Sequence, residues 1–151
     1  MSATVNRYER EEILAAPRDR VWAAISEPAQ LKEWFAEPTY SMTPGSDGAL
    51  KFRFEDGSEG APPVHVVAVD PPNRFAFRWR SHSADPAMRV ADQANTLVEI
   101  TLAEEADGTR IRIVESGFEA LPDEVRDTAL RENSQGWPEV IGNLAKYVAK
   151  A

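Results

Sequence analysis

NSQGWPEVIGNLAKYV, residues 133–148, is the stretch that decides how this chain folds. Its apolar residues recur at the spacing of one helix face, namely Trp137, Val140, Ile141, Leu144, Tyr147 and Val148. Gly136, Pro138 and Gly142 interrupt this pattern, although glycine costs roughly 1 kcal/mol and proline roughly 3 kcal/mol in a helix interior. We expect one long helix, from about Asp123 to Lys150 and kinked at Pro138, with a break into two helices at Gly136 as the alternative.

The residues before this helix follow a period of two, which predicts strands. Residues 74–81, RFAFRWRS, place Phe75, Phe77 and Trp79 on one face. The other predicted strands are 4–14, 39–42, 49–54, 63–69, 96–105 and 109–116, and two short helices at 16–26 and 27–35 follow the first of them. Tight turns between consecutive strands make them antiparallel, and their alternation leaves one face for the long helix to cover. The sequence therefore predicts an α+β fold.

Composition limits the classes of function. The chain has 151 residues, no cysteine, a net charge of -8 and a pI near 4.8. The acidity argues against nucleic acid and anionic membranes as partners, and the absence of cysteine excludes disulfides and thiol catalysis. No apolar run approaches the roughly 20 residues of a membrane span, and the N-terminus does not resemble a signal peptide. We expect a single cytoplasmic domain over residues 1–151, without membrane insertion.

Four segments carry a resemblance to a known family. They are APRDRVWAAISEPAQLKEWF at 16–35, VVAVDPPNRFAFRW at 66–79, DGTRIRIVESGFE at 107–119 and GWPEVIGNLAKYV at 136–148. In content and order they resemble the START-like (SRPBCC) superfamily, and most closely the family of the activator of heat-shock protein 90 ATPase. The resemblance implies the helix-grip fold, in which a curved antiparallel sheet of about seven strands wraps around a C-terminal helix. It also implies a hydrophobic cavity between them, as in sterol and lipid carriers, polyketide cyclases, pollen allergens and co-chaperones.

Alternation then assigns the residues that face this cavity. The predicted ligand-binding set is Trp34, Phe35, Phe52, Phe54, Phe75, Phe77, Trp79, Ile111, Ile113, Glu115, Phe118, Trp137, Val140, Ile141 and Leu144. Such a concentration of aromatic rings suits a sterol, an aromatic polyketide or a fatty acyl chain. The alternative is that these side chains pack against one another and leave little volume.

Glu115 is the polar candidate, because it shares a strand face with Ile111 and Ile113. Its carboxyl group could donate a hydrogen bond to a ligand carbonyl or act as a general acid and base. The alternative is a carboxylate at the cavity rim or paired with an arginine. His82 with Asp85 and Asp92 is a weak pattern for a metal, so we expect neither metal nor cofactor.

Three functions follow from the residues and the resemblance. The first is binding of a small hydrophobic molecule, such as a lipid, a sterol or an aromatic polyketide. The second is a co-chaperone-like interaction with heat-shock protein 90, linked to stress response, which makes a chaperone or another protein the partner. The third is a cyclase or dehydratase that uses Glu115. A nucleophile for covalent catalysis is not visible, and both a monomer and a homodimer are compatible with the sequence.

Overall fold

A computed structural model describes residues 7–53, 56–80, 90 and 94–150. The strands are β1 Arg7–Leu14, β2 Glu37–Pro38, β3 Asp47–Arg53, β4 Glu59–Gly60, β5 Pro63–Asp70, β6 Arg74–Trp79, β7 Thr96–Glu105 and β8 Gly108–Ser116. The helices are α1 Arg18–Ser26, α2 Pro28–Trp34 and α3 Asp123–Ala149, with a 3₁₀ turn at Phe118–Ala120. This order confirms the predicted α+β fold.

The strands form one antiparallel sheet in the order β1-β8-β7-β6-β5-β3-β2, with β4 paired to β3. The first strand lies beside the last, with Arg7 opposite Ser116 and Leu14 opposite Thr109. The middle of the sheet follows the predicted meander, because β5, β6, β7 and β8 pair in sequence. One face of the sheet packs on α3, as the alternation of buried and exposed residues requires.

The strand predicted at 39–42 is wrong, because β2 comprises only Glu37–Pro38. The Thr39 amide still donates to the Ala49 carbonyl at 2.9 Å, but side chains take other hydrogen bonds that a longer ladder would use. The Thr39 hydroxyl accepts from the amide of Ala49 at 2.9 Å, and the Ser46 hydroxyl accepts from the amide of Ser41 at 3.0 Å. Serine and threonine compete with sheet formation in this way. Tyr40 is nonetheless buried in the core.

Helix α3 passes through Pro138 without a break, so one helix rather than two is confirmed. Trp137, Ile141, Leu144 and Val148 are buried and form its inner face. Helix–sheet burial of this kind outweighs the low helix propensity of single residues, because tertiary packing provides most of a helix's stability in proteins.

Arg20 in α1 fastens the C-terminal end of α3 to the two short helices. Its guanidinium donates to the Gln30 side chain at 2.8 Å and to the carbonyl of Tyr147 at 3.2 Å. The same guanidinium lies 4.8 Å from the centre of the Tyr147 ring, a cation–π distance. A cation at a helix C-terminus also interacts favourably with the helix dipole. The C-terminal half of α3 is therefore held on several sides, whereas residues of its N-terminal half line a cleft described below.

Within the described part of the chain, no helix is both long enough and apolar enough to cross a membrane.

Candidate functional site

The inner faces of β6 and β8 lie where alternation predicts them. Phe75, Phe77 and Trp79 are buried on β6, and Ile111 and Ile113 are buried on β8. Their rings and aliphatic chains meet the inner face of α3 in one core cluster. The region between sheet and helix therefore contains the predicted apolar lining.

Most of this region is filled by the protein itself. The space enclosed beneath α3 has a volume of about 20 Å³, which is room for a water-sized molecule only. Its lining includes ten of the predicted residues: Trp34, Phe35, Phe75, Phe77, Ile111, Ile113, Trp137, Val140, Ile141 and Leu144. The alternative of a self-filled core therefore describes the space beneath the C-terminal half of α3.

Ligand-sized space lies instead beside the N-terminal half of α3. A cleft of about 500 Å³ opens between this half of the helix and strands β3, β4 and β6. Its volume is within the range of small-molecule sites. The residues that line it are Phe35, Phe52, Gly60, Pro62, Trp79, Glu132, Asn133, Gly136, Trp137 and Val140. We refer to it as the aromatic cleft.

Four aromatic side chains of the aromatic cleft form a closed circuit. The Phe35 ring centre lies 5.2 Å from that of Phe52 and 5.9 Å from that of Trp137. The Trp79 ring centre lies 6.5 Å from that of Phe52 and 5.9 Å from that of Trp137. These separations fall in the range of favourable aromatic contacts. Strands β3 and β6, helix α3 and the residue that follows α2 thus contribute to one aromatic wall.

Gly136 contributes to the aromatic cleft by lacking a side chain. A Cβ atom built at this position would meet no other atom within 4 Å. Any larger residue would therefore project into open space at the edge of the cleft. Gly142, six residues further along α3, is also open but does not line the cleft.

Glu115 is completely buried and accepts hydrogen bonds at both carboxylate oxygens. Oε1 accepts from the Trp137 indole at 2.8 Å, and Oε2 accepts from the Trp79 indole at 2.9 Å and the Thr96 hydroxyl at 2.6 Å. The Asn133 amide donates to both oxygens at 3.1 Å. The alternative considered for Glu115 does not describe it: the side chain is fully buried rather than at a rim, and none of the contacts that the structure describes for it involves an arginine.

The hydrogen bonds of Glu115 connect it to the aromatic cleft. Three of its partners, Trp79, Asn133 and Trp137, line the cleft, while Glu115 itself does not. A buried carboxylate satisfied by several donors fixes the orientation of those donors. The arrangement makes Glu115 a support behind the cleft wall, and a ligand in the cleft would meet its hydrogen-bond partners first.

One predicted residue lies elsewhere. Phe118 belongs to a separate buried cluster with Leu121 and Ala129, beneath the 3₁₀ turn. Phe54 lies outside the described residues. Sequence reasoning missed five cleft residues: Gly60, Pro62, Glu132, Asn133 and Gly136. For Asn133 and Gly136 a signal existed, because their spacing to Val140 places all three on one helix face.

Metal-binding groups are absent from the described residues, since no three His, Asp or Glu side chains come together there. His82, Asp85 and Asp92 lie outside the described residues. The other histidine, His65, lies 2.8 Å from the Asp47 carboxylate, on neighbouring strands and away from the aromatic cleft.

The architecture, a long C-terminal helix gripped by an antiparallel sheet with two short helices after the first strand, is the helix-grip fold of SRPBCC proteins. The family model of the activator of Hsp90 ATPase homolog 1-like protein matches residues 15–149, so the chain belongs to this family. The resemblance identified from the sequence is therefore confirmed. Members of this fold generally bind small hydrophobic ligands, and the chain shares that fold.

Solved structures agree with this assignment of the fold. Protein MLL2253 from Mesorhizobium loti superposes with a TM-score of 0.77 at 21% identity, over 96% of this chain and 98% of that protein. A protein from Arthrobacter aurescens gives a TM-score of 0.78 at 19% identity, over 96% and 87%. DynU16, a protein of the dynemicin biosynthetic locus, gives 0.75 at 24% identity, over 97% of this chain and 48% of its own. The search of curated proteins gives no significant match.

Proposed function

We propose that this protein binds a small hydrophobic ligand with a flat aromatic part in the aromatic cleft. The observation that supports the proposal is the wall of four rings in mutual contact that lines one side of a cleft of about 500 Å³. Aromatic contacts contribute about 0.5–1.5 kcal/mol each beyond the burial of apolar area. A ligand that packs against the wall formed by Phe35, Phe52, Trp79 and Trp137 would gain such contacts.

The polar side chains that line the aromatic cleft are better suited to orienting a ligand than to catalysing a reaction of that ligand. Glu132 and Asn133 lie at one side of the cleft, and the remaining side chains that line it are apolar. A small number of polar groups in a mostly apolar lining is the usual composition of a small-molecule site. The aromatic wall of the cleft makes polycyclic aromatic compounds the first ligands to test, and the neighbour DynU16 is a protein of the dynemicin biosynthetic locus.

The cyclase or dehydratase alternative requires Glu115 to exchange a proton with the ligand. Its two oxygens already accept from Trp79, Thr96, Asn133 and Trp137, so a ligand would have to displace these donors. A general acid or base needs to lie within hydrogen-bond reach of the reacting atom. We therefore propose a positioning role for Glu115 and a binding role for the protein.

The test is native mass spectrometry of the protein purified from its own host, followed by extraction of any bound molecule. A stoichiometric adduct with an aromatic absorption spectrum is the expected result. A clean apo mass, together with no thermal shift across a library of aromatic compounds and lipids, would overturn the proposal. In that case the co-chaperone-like interaction would be tested next, by the rate of ATP hydrolysis of heat-shock protein 90 at saturating protein.

A further inference from the structure

A second cleft adjoins the aromatic cleft and has a different lining. Its volume is about 630 Å³, and it shares Phe35, Phe52 and Gly60 with the aromatic cleft. Beyond these shared residues the lining changes from aromatic to charged side chains. We call this second space the charged cleft. The two clefts meet at these shared residues, with an apolar lining at the α3 side and a charged lining at the β2–β3 side.

The charged cleft carries more positive than negative groups, although the chain as a whole has a net charge of -8. Lys32, Lys51 and Arg53 supply three positive charges, and Glu37 and Glu59 supply two negative ones. Arg53 is paired with Glu59 at 3.2 Å. The positive groups exceed the negative ones by one, and an excess of positive charge beside low-dielectric walls attracts an anionic ligand.

Lys32 and Lys51 differ in their ion pairing from several arginines of this protein. Arg10, Arg74 and Arg110 each lie within ion-pair distance of a carboxylate. Neither Lys32 nor Lys51 has a carboxylate within 4.0 Å among the residues that the structure describes, even though Glu37 lies opposite Lys51 in the β2–β3 ladder. Two ammonium groups from different elements, α2 and β3, thus border the same cleft without an ion pair in the described structure.

We propose that the ligand of the aromatic cleft carries an anionic head, and that Lys32 and Lys51 bind this head in the charged cleft. The proposal rests on the proposed function, because the aromatic cleft holds the body of the same ligand. The head is a carboxylate, sulfonate or phosphate, all of which accept hydrogen bonds from an ammonium group. The ligand is therefore an amphipathic anion with a flat aromatic body.

Two fluorescent probes with one aromatic skeleton test this inference. 1-Anilinonaphthalene-8-sulfonate carries an anionic head, and N-phenyl-1-naphthylamine has the same rings without it. The double variant Lys32→Gln/Lys51→Gln is expected to bind the sulfonate five- to tenfold more weakly and the neutral probe with unchanged affinity. Lys146→Gln/Lys150→Gln is the matched control, because it removes the same charge from residues outside both clefts and should leave both affinities unchanged.

The outcomes separate the inference from the function on which it rests. Equal loss of sulfonate affinity in both double variants would overturn the inference, because net charge rather than the charged cleft would then be responsible. Unchanged sulfonate affinity in Lys32→Gln/Lys51→Gln would overturn it as well, while binding of the neutral probe would leave the proposed function standing. Failure of both probes to bind the wild-type protein would contradict the proposed function itself. Near-ultraviolet circular dichroism confirms that each variant is folded, since the sulfonate also binds partly unfolded proteins.

Discussion

The indole N–H of Trp137 donates a hydrogen bond of 2.8 Å to Oε1 of the buried Glu115. This contact joins the middle of α3 to the last strand of the sheet at the edge of the aromatic cleft. The Trp79 indole on β6 makes the equivalent contact to the other carboxylate oxygen at 2.9 Å. One carboxylate therefore holds two of the four rings of the cleft in place.

Replacing Trp137 by Phe is expected to destabilise the fold by about 1–3 kcal/mol, because the variant keeps a ring but loses the donor to a buried carboxylate. Urea denaturation followed by circular dichroism measures the change. Trp22→Phe is the control, since Trp22 is half-buried and its indole N–H has no hydrogen bond within the described structure. Equal losses in the two variants would show that the hydrogen bond to Glu115 contributes nothing beyond ring volume.

Glu115→Gln is expected to lower the free energy of unfolding by about 2–4 kcal/mol and to weaken ligand binding. Glutamine has one acceptor oxygen and one donor group, so part of the donor set of Trp79, Thr96, Asn133 and Trp137 would face another donor. Denaturation and a fluorescence titration with N-phenyl-1-naphthylamine measure the two effects.

Glu99→Gln is the matched control for the Glu115 substitution. Glu99 makes a partly exposed ion pair with Arg74 at 2.8 Å, and its loss should cost less than about 1 kcal/mol. If Glu115→Gln behaved like this control in both measurements, the buried carboxylate would not be a support for the cleft.

Gly48→Ala is expected to destabilise the protein by about 1–3 kcal/mol, because a Cβ atom there would lie 2.6 Å from the backbone nitrogen of Tyr40. Gly142→Ala provides the comparison, since its Cβ would meet nothing within 4 Å and the helix would gain up to about 1 kcal/mol. Thermal denaturation of both variants should therefore give shifts of opposite sign. A stable Gly48→Ala protein would mean that the segment around Tyr40 lies further from β3.

Stability is expected to fall as the pH rises above about 10, the ordinary pKa of tyrosine. Burial raises the pKa of Tyr40 above that value, so the folded state keeps a proton that the unfolded chain releases. The stabilisation is fully present below the unfolded pKa and is lost as the pH rises toward the folded one. Tyr40→Phe should make the decline in unfolding free energy between pH 9 and 11 shallower, as measured by urea denaturation.

Tyr8 also has a raised pKa, with desolvation as the main cause, so part of the decline at high pH should persist in Tyr40→Phe. Tyr8→Phe tests that remainder separately. An identical pH dependence in the wild type and in Tyr40→Phe would contradict the buried environment of the Tyr40 phenol.

Sequence periodicity predicted the fold because alternation and helical spacing report directly which face of an element is buried. Phe75, Phe77 and Trp79 on β6 and Glu115 on β8 lie on the faces that alternation assigned to them. The strand predicted at 39–42 does not form, and there the hydroxyls of Thr39 and Ser46 accept from the amides of Ala49 and Ser41, which a hydropathy pattern does not register.

The site was harder to predict than the fold, since a cleft is a space that contains no side chains. Trp79 and Trp137 are separated from Glu115 by 36 and 22 residues in the sequence, and only the folded chain brings their indoles to its two oxygens. In the sequence Gly136 only interrupts a helical pattern, whereas its place in the cleft lining depends on the open space beside it. Whether Phe and Trp rings enclose a cavity or fill it depends on their rotamers, and these follow from packing in three dimensions.

The most direct measurement of the proposed site compares Gly136→Leu with Gly142→Leu in a titration with N-phenyl-1-naphthylamine. Both variants replace an open helical glycine, but only the leucine at 136 would project at the lining of the aromatic cleft. Gly136→Leu is expected to weaken binding at least tenfold, and Gly142→Leu is expected to bind like the wild type. Equal affinity in the two variants would contradict binding in the aromatic cleft.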